Sequence, residues 1–281
     1  SAQDEAVAAG ASLSTRLDPG LGVVQPLHAG AQDAWLLAVD DQGRPTWSTF
    51  LGGPGRDEAT GISSSEKTLT VTGVAGPGFP LHRPWSAWEA QEDFFLASLS
   101  LPGAALLLST RWGGAAEEST PALARIDDDR VYVTGHSVST SPKTWGAAQP
   151  ESHGGSDAVF SVWSSLSGLP VWGTLLGGSE DELGPVVPRH ERNGPRFGLR
   201  TRSADMTATS GPTPDGSFDV ALVTTKDPLP ASLSLAVSGR NLLATMLLAA
   251  GANSLLFPAR HLLPYDASLT WSGMKNLTVT G

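Results

Sequence analysis

Trp47-Ser-Thr-Phe-Leu-Gly-Gly53 returns twice further along the chain, as Leu108-Ser-Thr-Arg-Trp-Gly-Gly114 and as Trp172-Gly-Thr-Leu-Leu-Gly-Gly178. The threonine and both glycines keep their places while the apolar positions exchange one large residue for another. An aspartate stands 20 or 21 residues before each second glycine (Asp33, Asp93 and Asp157), and each opens an apolar run. Just beyond each Gly-Gly comes an acidic pair: Asp57-Glu58, Glu117-Glu118 and Asp181-Glu182. Aspartates and acidic pairs both recur at intervals of 60 and then 64 residues, so independent markers agree on an internal repeat. Asp219-Val-Ala-Leu-Val-Thr-Thr225 opens a further unit 62 residues after Asp157, and beyond it the glycine signature is lost.

Short apolar or alternating segments between turn residues fill each unit and read as strands. In the first they are Ala34–Val39, Thr46–Leu51, Ala59–Ser63 and Thr68–Val74. Phe94–Leu99, Ala104–Trp112, Ala122–Ile126 and Val131–Gly135 follow, then Ala158–Trp163, Pro170–Leu176, Val186-Val187 and Phe197–Thr201. Near the N-terminus, Ala6–Ala9 and Ser12–Leu17 suggest two short strands around Gly10. Towards the C-terminus, Ser232–Val237, Leu242–Leu248, Ser254–Phe257, Ser268–Trp271 and Leu277–Thr280 alternate with turns. Few segments have a helical period. Four short strands per unit form one antiparallel sheet, which buries both faces only by packing against its neighbours; radial packing is the β-propeller solution. The expected fold is therefore all-β. It is one propeller domain over residues 1–281, with five four-stranded antiparallel blades at about 4–53, 57–114, 117–178, 181–238 and 241–281. Leu277-Thr-Val-Thr-Gly281 copies Leu69–Gly73, a second strand of its unit, which suggests a ring whose two ends share a blade and hide its edges.

The pattern Asp33-Ala-Trp-Leu-Leu-Ala-Val-Asp40, Trp47–Gly53, Gly61-Ile62, Leu69-Thr-Val-Thr-Gly73 and Phe79-Pro80 resembles the bacterial SBBP-type β-propeller repeat. The resemblance covers about residues 33–178 clearly and decays over 179–225, with Trp112 where a leucine is expected. It implies a propeller fold and a secreted or surface-exposed protein, and it implies no particular reaction.

Composition narrows the function classes. A net charge of −10 argues against nucleic acid and anionic membrane surfaces as partners. The absence of cysteine excludes disulfides, thiol catalysis and cysteine-ligated zinc. No apolar run reaches the length of a transmembrane helix. The chain opens on Ser1 without methionine, as a processed or trimmed N-terminus does.

In a four-stranded meander the connections alternate between two ends of the sheet. The loops after each Gly-Gly and the long connections after Thr72-Gly73 and Thr134-Gly135 are thus expected at one end, with His82, Trp85, Trp88, His136, Trp145, His153 and the acidic pairs on one rim. These aromatic and histidine residues are the candidate ligand-binding set, since long loops on a rigid scaffold commonly carry binding. Trp85-Ser-Ala-Trp88 and Trp145-Gly-Ala-Ala148 read as related loop segments, either pinning their loops or offering a stacking surface for sugar or peptide. Asp57, Glu58, Glu117, Glu118, Asp181 and Glu182 read as turn formers on a solvated rim; a shared calcium site is a lesser reading, and no other cofactor is expected. Repeat-equivalent carboxylates suit fold better than catalysis, and neither a Gly-x-Ser-x-Gly nor a His-x-x-x-His motif occurs. The expected function is a non-catalytic, extracytoplasmic binding or scaffolding module for a glycan or protein partner. The alternatives are a five-bladed glycosidase or lyase with carboxylates at a central tunnel, and a structural subunit of a larger surface assembly.

Overall fold

The computed structural model describes residues 5–15, 24–85, 92–101, 104–147, 149–183, 189–191, 194–205, 219–224, 233–237 and 267–271. Every element among them is a β-strand, and every strand pairing is antiparallel. The first sheet runs β1 (Ala6–Ser12), β2 (Asp33–Val39) and β3 (Pro45–Leu51). The second holds β4 (Asp57–Ser64), β5 (Thr68–Ala75), β6 (Asp93–Ser100) and β7 (Leu106–Trp112) in chain order. The third repeats it with β8 (Glu118–Arg125), β9 (Arg130–Ser137), β10 (Asp157–Ser164) and β11 (Pro170–Leu176). In the fourth, β12 (Glu182–Leu183) and β13 (Arg189–Glu191) share one edge of β14 (Gly194–Thr201), and β15 (Asp219–Thr224) takes the other. A separate pair joins β16 (Leu233–Val237) to β17 (Ala267–Trp271).

The sheets match one another in register. The aspartate that opens each third-position strand faces the same rung of its neighbour: Ser12 opposite Asp33, Ala75 opposite Asp93, Ser137 opposite Asp157 and Thr201 opposite Asp219. Two rungs on, Gly10, Gly73 and Gly135 face Trp35, Phe95 and Val159. The next pairing shifts register at matching places, Ala38/Val39, Ser98/Leu99 and Val162/Trp163. A β-bulge at a fixed point twists each sheet alike.

These pairings revise the N-terminal reading. Ala6–Ser12 is one strand running through Gly10, and it occupies the second position of its sheet. Gly10 serves packing here: a Cβ there would stand 3.1 Å from Trp35 Nε1, whose indole lies across the strand. The first sheet consequently has three strands among the described residues. At the other end, Leu233–Val237 pairs with β17 instead of adding a fourth strand beside β15. The expected strands at Val186-Val187, Leu242–Leu248, Ser254–Phe257 and Leu277–Thr280 lie outside the described residues.

Strand alternation sends neighbouring side chains into different interfaces. From β6, Phe95, Ala97 and Leu99 join Leu36, Trp47 and Leu51 of the first sheet, while Phe94 and Leu96 join Val133, Val159 and Trp163 of the third. From β10, Ala158, Phe160 and Val162 point instead to a cluster that includes Leu199 of β14. Strands covered on both faces need continuous apolar runs, which is why Asp93-Phe-Phe-Leu-Ala and Asp157-Ala-Val-Phe lack polar alternation. The sheets thus pack face to face in sequence order. At the turn ends, short tight connections suffice: Asp40 accepts hydrogen bonds from the Gln42 and Arg44 amides, and Asp127 from those of Asp129 and Arg130.

Candidate functional site

The Gly-Gly loops and the long connections meet at one end of the sheets. A Cβ on Gly53 would strike the backbone of Gly78 and Phe79, one on Gly114 would strike Ser139, and one on Gly178 would strike Ser203 and Asp205. Gly30 and Gly154 crowd the backbone after the Gly-Gly from the other side. The long connections then run to the outer edge of their sheets. His82 bridges Ser109 of β7 through two backbone hydrogen bonds, and Trp145 bridges Gly173 of β11 in the same way. The connection before β2 follows suit, with the Phe50 amide donating to the Gln25 carbonyl. Each strap covers an outer strand that would otherwise present an unpaired edge.

The repeat's threonine explains itself here. Thr49, Thr110 and Thr174 each accept a hydrogen bond at Oγ1, from the amides of Gln25, Trp85 and Gln149. This fixes the alignment of the long loops: Trp85 corresponds to Gln149, and Trp145 to His82. Trp85-Ser-Ala-Trp88 and Trp145-Gly-Ala-Ala148 are therefore not equivalent segments. Gln25 and Gln149 also reach inward identically, donating to Asp33 Oδ2 and Asp157 Oδ2 and accepting from the amides of Gly52 and Gly177. The second repeat has Trp85 in this place, and Arg111 reaches Asp93 instead, Nη2 to Oδ2 at 3.2 Å. Arg111 is buried and donates as well to the Ala75 carbonyl.

The tryptophans form a cluster between the second and third sheets. Trp112 lies 4.2 Å from Trp163, Trp145 5.1 Å and Trp85 6.2 Å, and Trp85 meets Trp145 edge-on at 4.8 Å. Trp85 and Trp145 are half-buried, packed on the core, and Lys143 Nζ sits 5.1 Å over the Trp85 ring. Burying large aromatic area anchors the two straps. Trp88 lies outside the described residues. His82 and His153 are exposed on the loops. His136 departs from expectation: it belongs to β9, half-buried, with Nε2 2.6 Å from Ser119 Oγ, and desolvation lowers its pKa.

The acidic pairs divide, which corrects their reading as a solvated rim. Asp57, Glu118 and Glu182 are buried at the start of their strands, whereas Glu58 and Asp181 are half-exposed and Glu117 is exposed. Each buried carboxylate sits four residues past the second glycine and accepts its amide: Gly53 to Asp57, Gly114 to Glu118 and Gly178 to Glu182. A second set of donors differs with side-chain length. Asp57 takes the Gly76 amide, Glu118 takes the hydroxyls of Ser137 and Ser139, and Glu182 those of Thr201 and Ser203. A buried carboxylate tolerates its site only with such donors.

Across each junction this carboxylate approaches the strand-opening aspartate of the preceding sheet. At the second and third junctions the first glycine of the Gly-Gly is the spacer: a Cβ on Gly113 would collide with both Asp93 Oδ1 and Glu118 Oε2, and one on Gly177 with Asp157 Oδ1 and Glu182, while one on Gly52 would strike Asp33. Only glycine lets the backbone pass over the pair. Burial pushes Glu118 up to about 8 and Asp57 up to about 6, and it raises Asp157 as well, with the facing carboxylate adding to each shift. Among the described residues no three His, Asp or Glu side chains converge in a metal-binding group.

No family model matches the chain, and no curated protein matches it. Among the described residues no helix is long and apolar enough to cross a membrane.

Proposed function

We propose that the sheets are blades of a β-propeller of the SBBP type, and that the chain works outside the cytoplasm as a non-catalytic binding and scaffolding module. Three features support the propeller reading. Successive sheets share one register, both faces of the inner sheets are apolar, and the outward face of the first sheet carries Trp35, Leu37 and Val39, only half-buried, as a blade awaiting a neighbour does. The observation that carries the functional reading is the gathering of Gly-Gly loops and long straps at one end, with His82, Arg83, Glu117 and His153 exposed there. Among the described residues the connections at the opposite end are short turns.

A protein partner fits this end better than a glycan. Sugar stacking needs an open aromatic face, and Trp85 and Trp145 are packed against one another and Trp163. What remains exposed is a polar loop surface with both signs of charge, the composition of an interface rim. Carboxylate chemistry has weaker support, because Asp33, Asp57, Asp93, Glu118, Asp157 and Glu182 are each at most 1% exposed, whereas a glycosidase must place its pair against substrate.

A peptide-display screen and a glycan array on the purified chain test this reading, each repeated on the His82→Ala/His153→Ala double variant. Peptide binding that the variant weakens at least tenfold is the expected result. Glycan binding alone, or no binding to either, counts against it.

A further inference from the structure

The recurrence of a buried carboxylate pair at every described sheet junction asks what balances two like charges there. The outer oxygens are provided for: the Gly-Gly amide and the hydroxyls or Gly76 amide donate to one carboxylate, Gln25 or Gln149 donates to the other at the first and third junctions, and Arg111 forms an ion pair with Asp93 Oδ2 at the second. The oxygens that face across the junction are different. Asp33 Oδ1, Asp157 Oδ1 and Glu118 Oε2 accept no hydrogen bond although all three residues are buried, and Glu118 Oε2 lies beside the Asp93 carboxyl beneath Gly113. Two ionised carboxylates this close and this dry repel strongly, and a single proton between them replaces the repulsion by a charge-assisted hydrogen bond.

We propose that each junction is closed by one proton shared between its two carboxyl groups, so that the packing of one sheet on the next is firm in mildly acidic solution and loosens above neutral pH. Other charges near the pairs do not supply the missing positive charge evenly. At the first junction His28 Nε2 stands 3.8 Å from Asp33 Oδ1, and Arg111 acts on Asp57 through space. At the second, Arg111 neutralises one of the two negative charges. At the third, His153, exposed on its loop, donates its backbone amide to Asp157 Oδ2. Arg111 holds Asp93 Oδ2, away from the Oδ1 that faces Glu118 Oε2 beneath Gly113, so the space between those two oxygens is left to the proton.

The sign follows from the raised pKa values. A group whose pKa is higher folded than unfolded holds its proton more tightly in the native state, so stability is greatest below the unfolded pKa and is lost as pH climbs through the folded one. For Asp57 and Glu118 that window runs from about 4 to about 8. The melting temperature is expected to fall steadily between pH 5.5 and 8.5. Glu118→Gln, whose amide donates to Asp93 as the protonated acid does, flattens that fall and melts above the wild type at pH 8.5. Infrared spectra of the wild type at pH 7 show the carbonyl stretch of a protonated carboxyl, and this band weakens in Glu118→Gln. Glu117→Gln, next door but exposed, changes neither. A wild-type melting temperature that is flat or rises with pH overturns the proposal, and the infrared band decides the matter even if Glu118→Gln fails to fold. A chelator that lowers the melting temperature, or calcium that raises it, in the wild type but not in Glu118→Gln would assign the junction to a cation and also overturn it.

Discussion

At the scale of single residues, the junctions are where small changes have large effects. Arg111 is a buried cation whose removal strands a buried Asp93 carboxylate. Arg111→Met is therefore expected to cost about 3–5 kcal/mol in urea unfolding, the usual penalty for breaking a buried ion pair from one side. The loss should be larger at pH 8 than at pH 5.5, because at the lower pH the proton on Glu118 leaves the pair with a single negative charge, whereas at the higher pH its loss adds a second; equal losses at both would contradict this. Gly177→Ala introduces a methyl group into the space of Asp157 Oδ1 and is expected to cost about 1–3 kcal/mol by the same assay. Some of this was open to a reader of the sequence. The Gly-Gly and acidic markers are plain, and a Gln-Pro dipeptide stands eight residues before both Asp33 and Asp157, a signal that leads straight to Gln25 and Gln149. Arg111 was not legible as their substitute, since it sits in the threonine motif and Trp85 holds the glutamine's place. Nor does the sequence reveal which member of an acidic pair is buried: Asp57 leads its pair, whereas Glu118 and Glu182 end theirs.

Among the elements, strands and straps answer to different forces. Strand positions in the second and third sheets follow from period and turn chemistry, and the structure keeps them within a residue or two except at β8, which starts at Glu118, four residues before the expected Ala122. The first strand misled because a glycine between short apolar runs reads as a turn, whereas Gly10 lies under the Trp35 indole. The straps are legible only as long connections; their pairing with Ser109 and Gly173 depends on an edge that the chain must fold to create. Trp163 tests how tightly the second and third sheets depend on their shared cluster. Trp163→Ala is expected to cost about 3–5 kcal/mol and to flatten the near-ultraviolet circular dichroism, as removal of a fully buried aromatic does. Trp145→Ala, only half-buried, is expected to cost less and to speed amide exchange at Trp145 and Gly173 while the strands of the third sheet stay protected. Exchange that rises across the whole sheet would make the strap part of the core.

For the whole molecule, under the proposed function, the similar sheets and junctions are a scaffold. Each unit adds the same contacts to the next, so stability accrues along the chain and the loops at one end are free to differ, as the Gln25, Trp85 and Gln149 positions already do. That division of labour is the physical basis for assigning recognition to the strap end, and it sets the most direct test. A peptide ligand selected on the purified chain should be added at saturation and amide hydrogen exchange compared with the free protein. The account predicts slowed exchange in 53–56, 76–85, 114–117 and 138–156, with 41–43, 65–67, 127–129 and 165–168 unchanged. Protection confined to those short turns at the opposite end would contradict it.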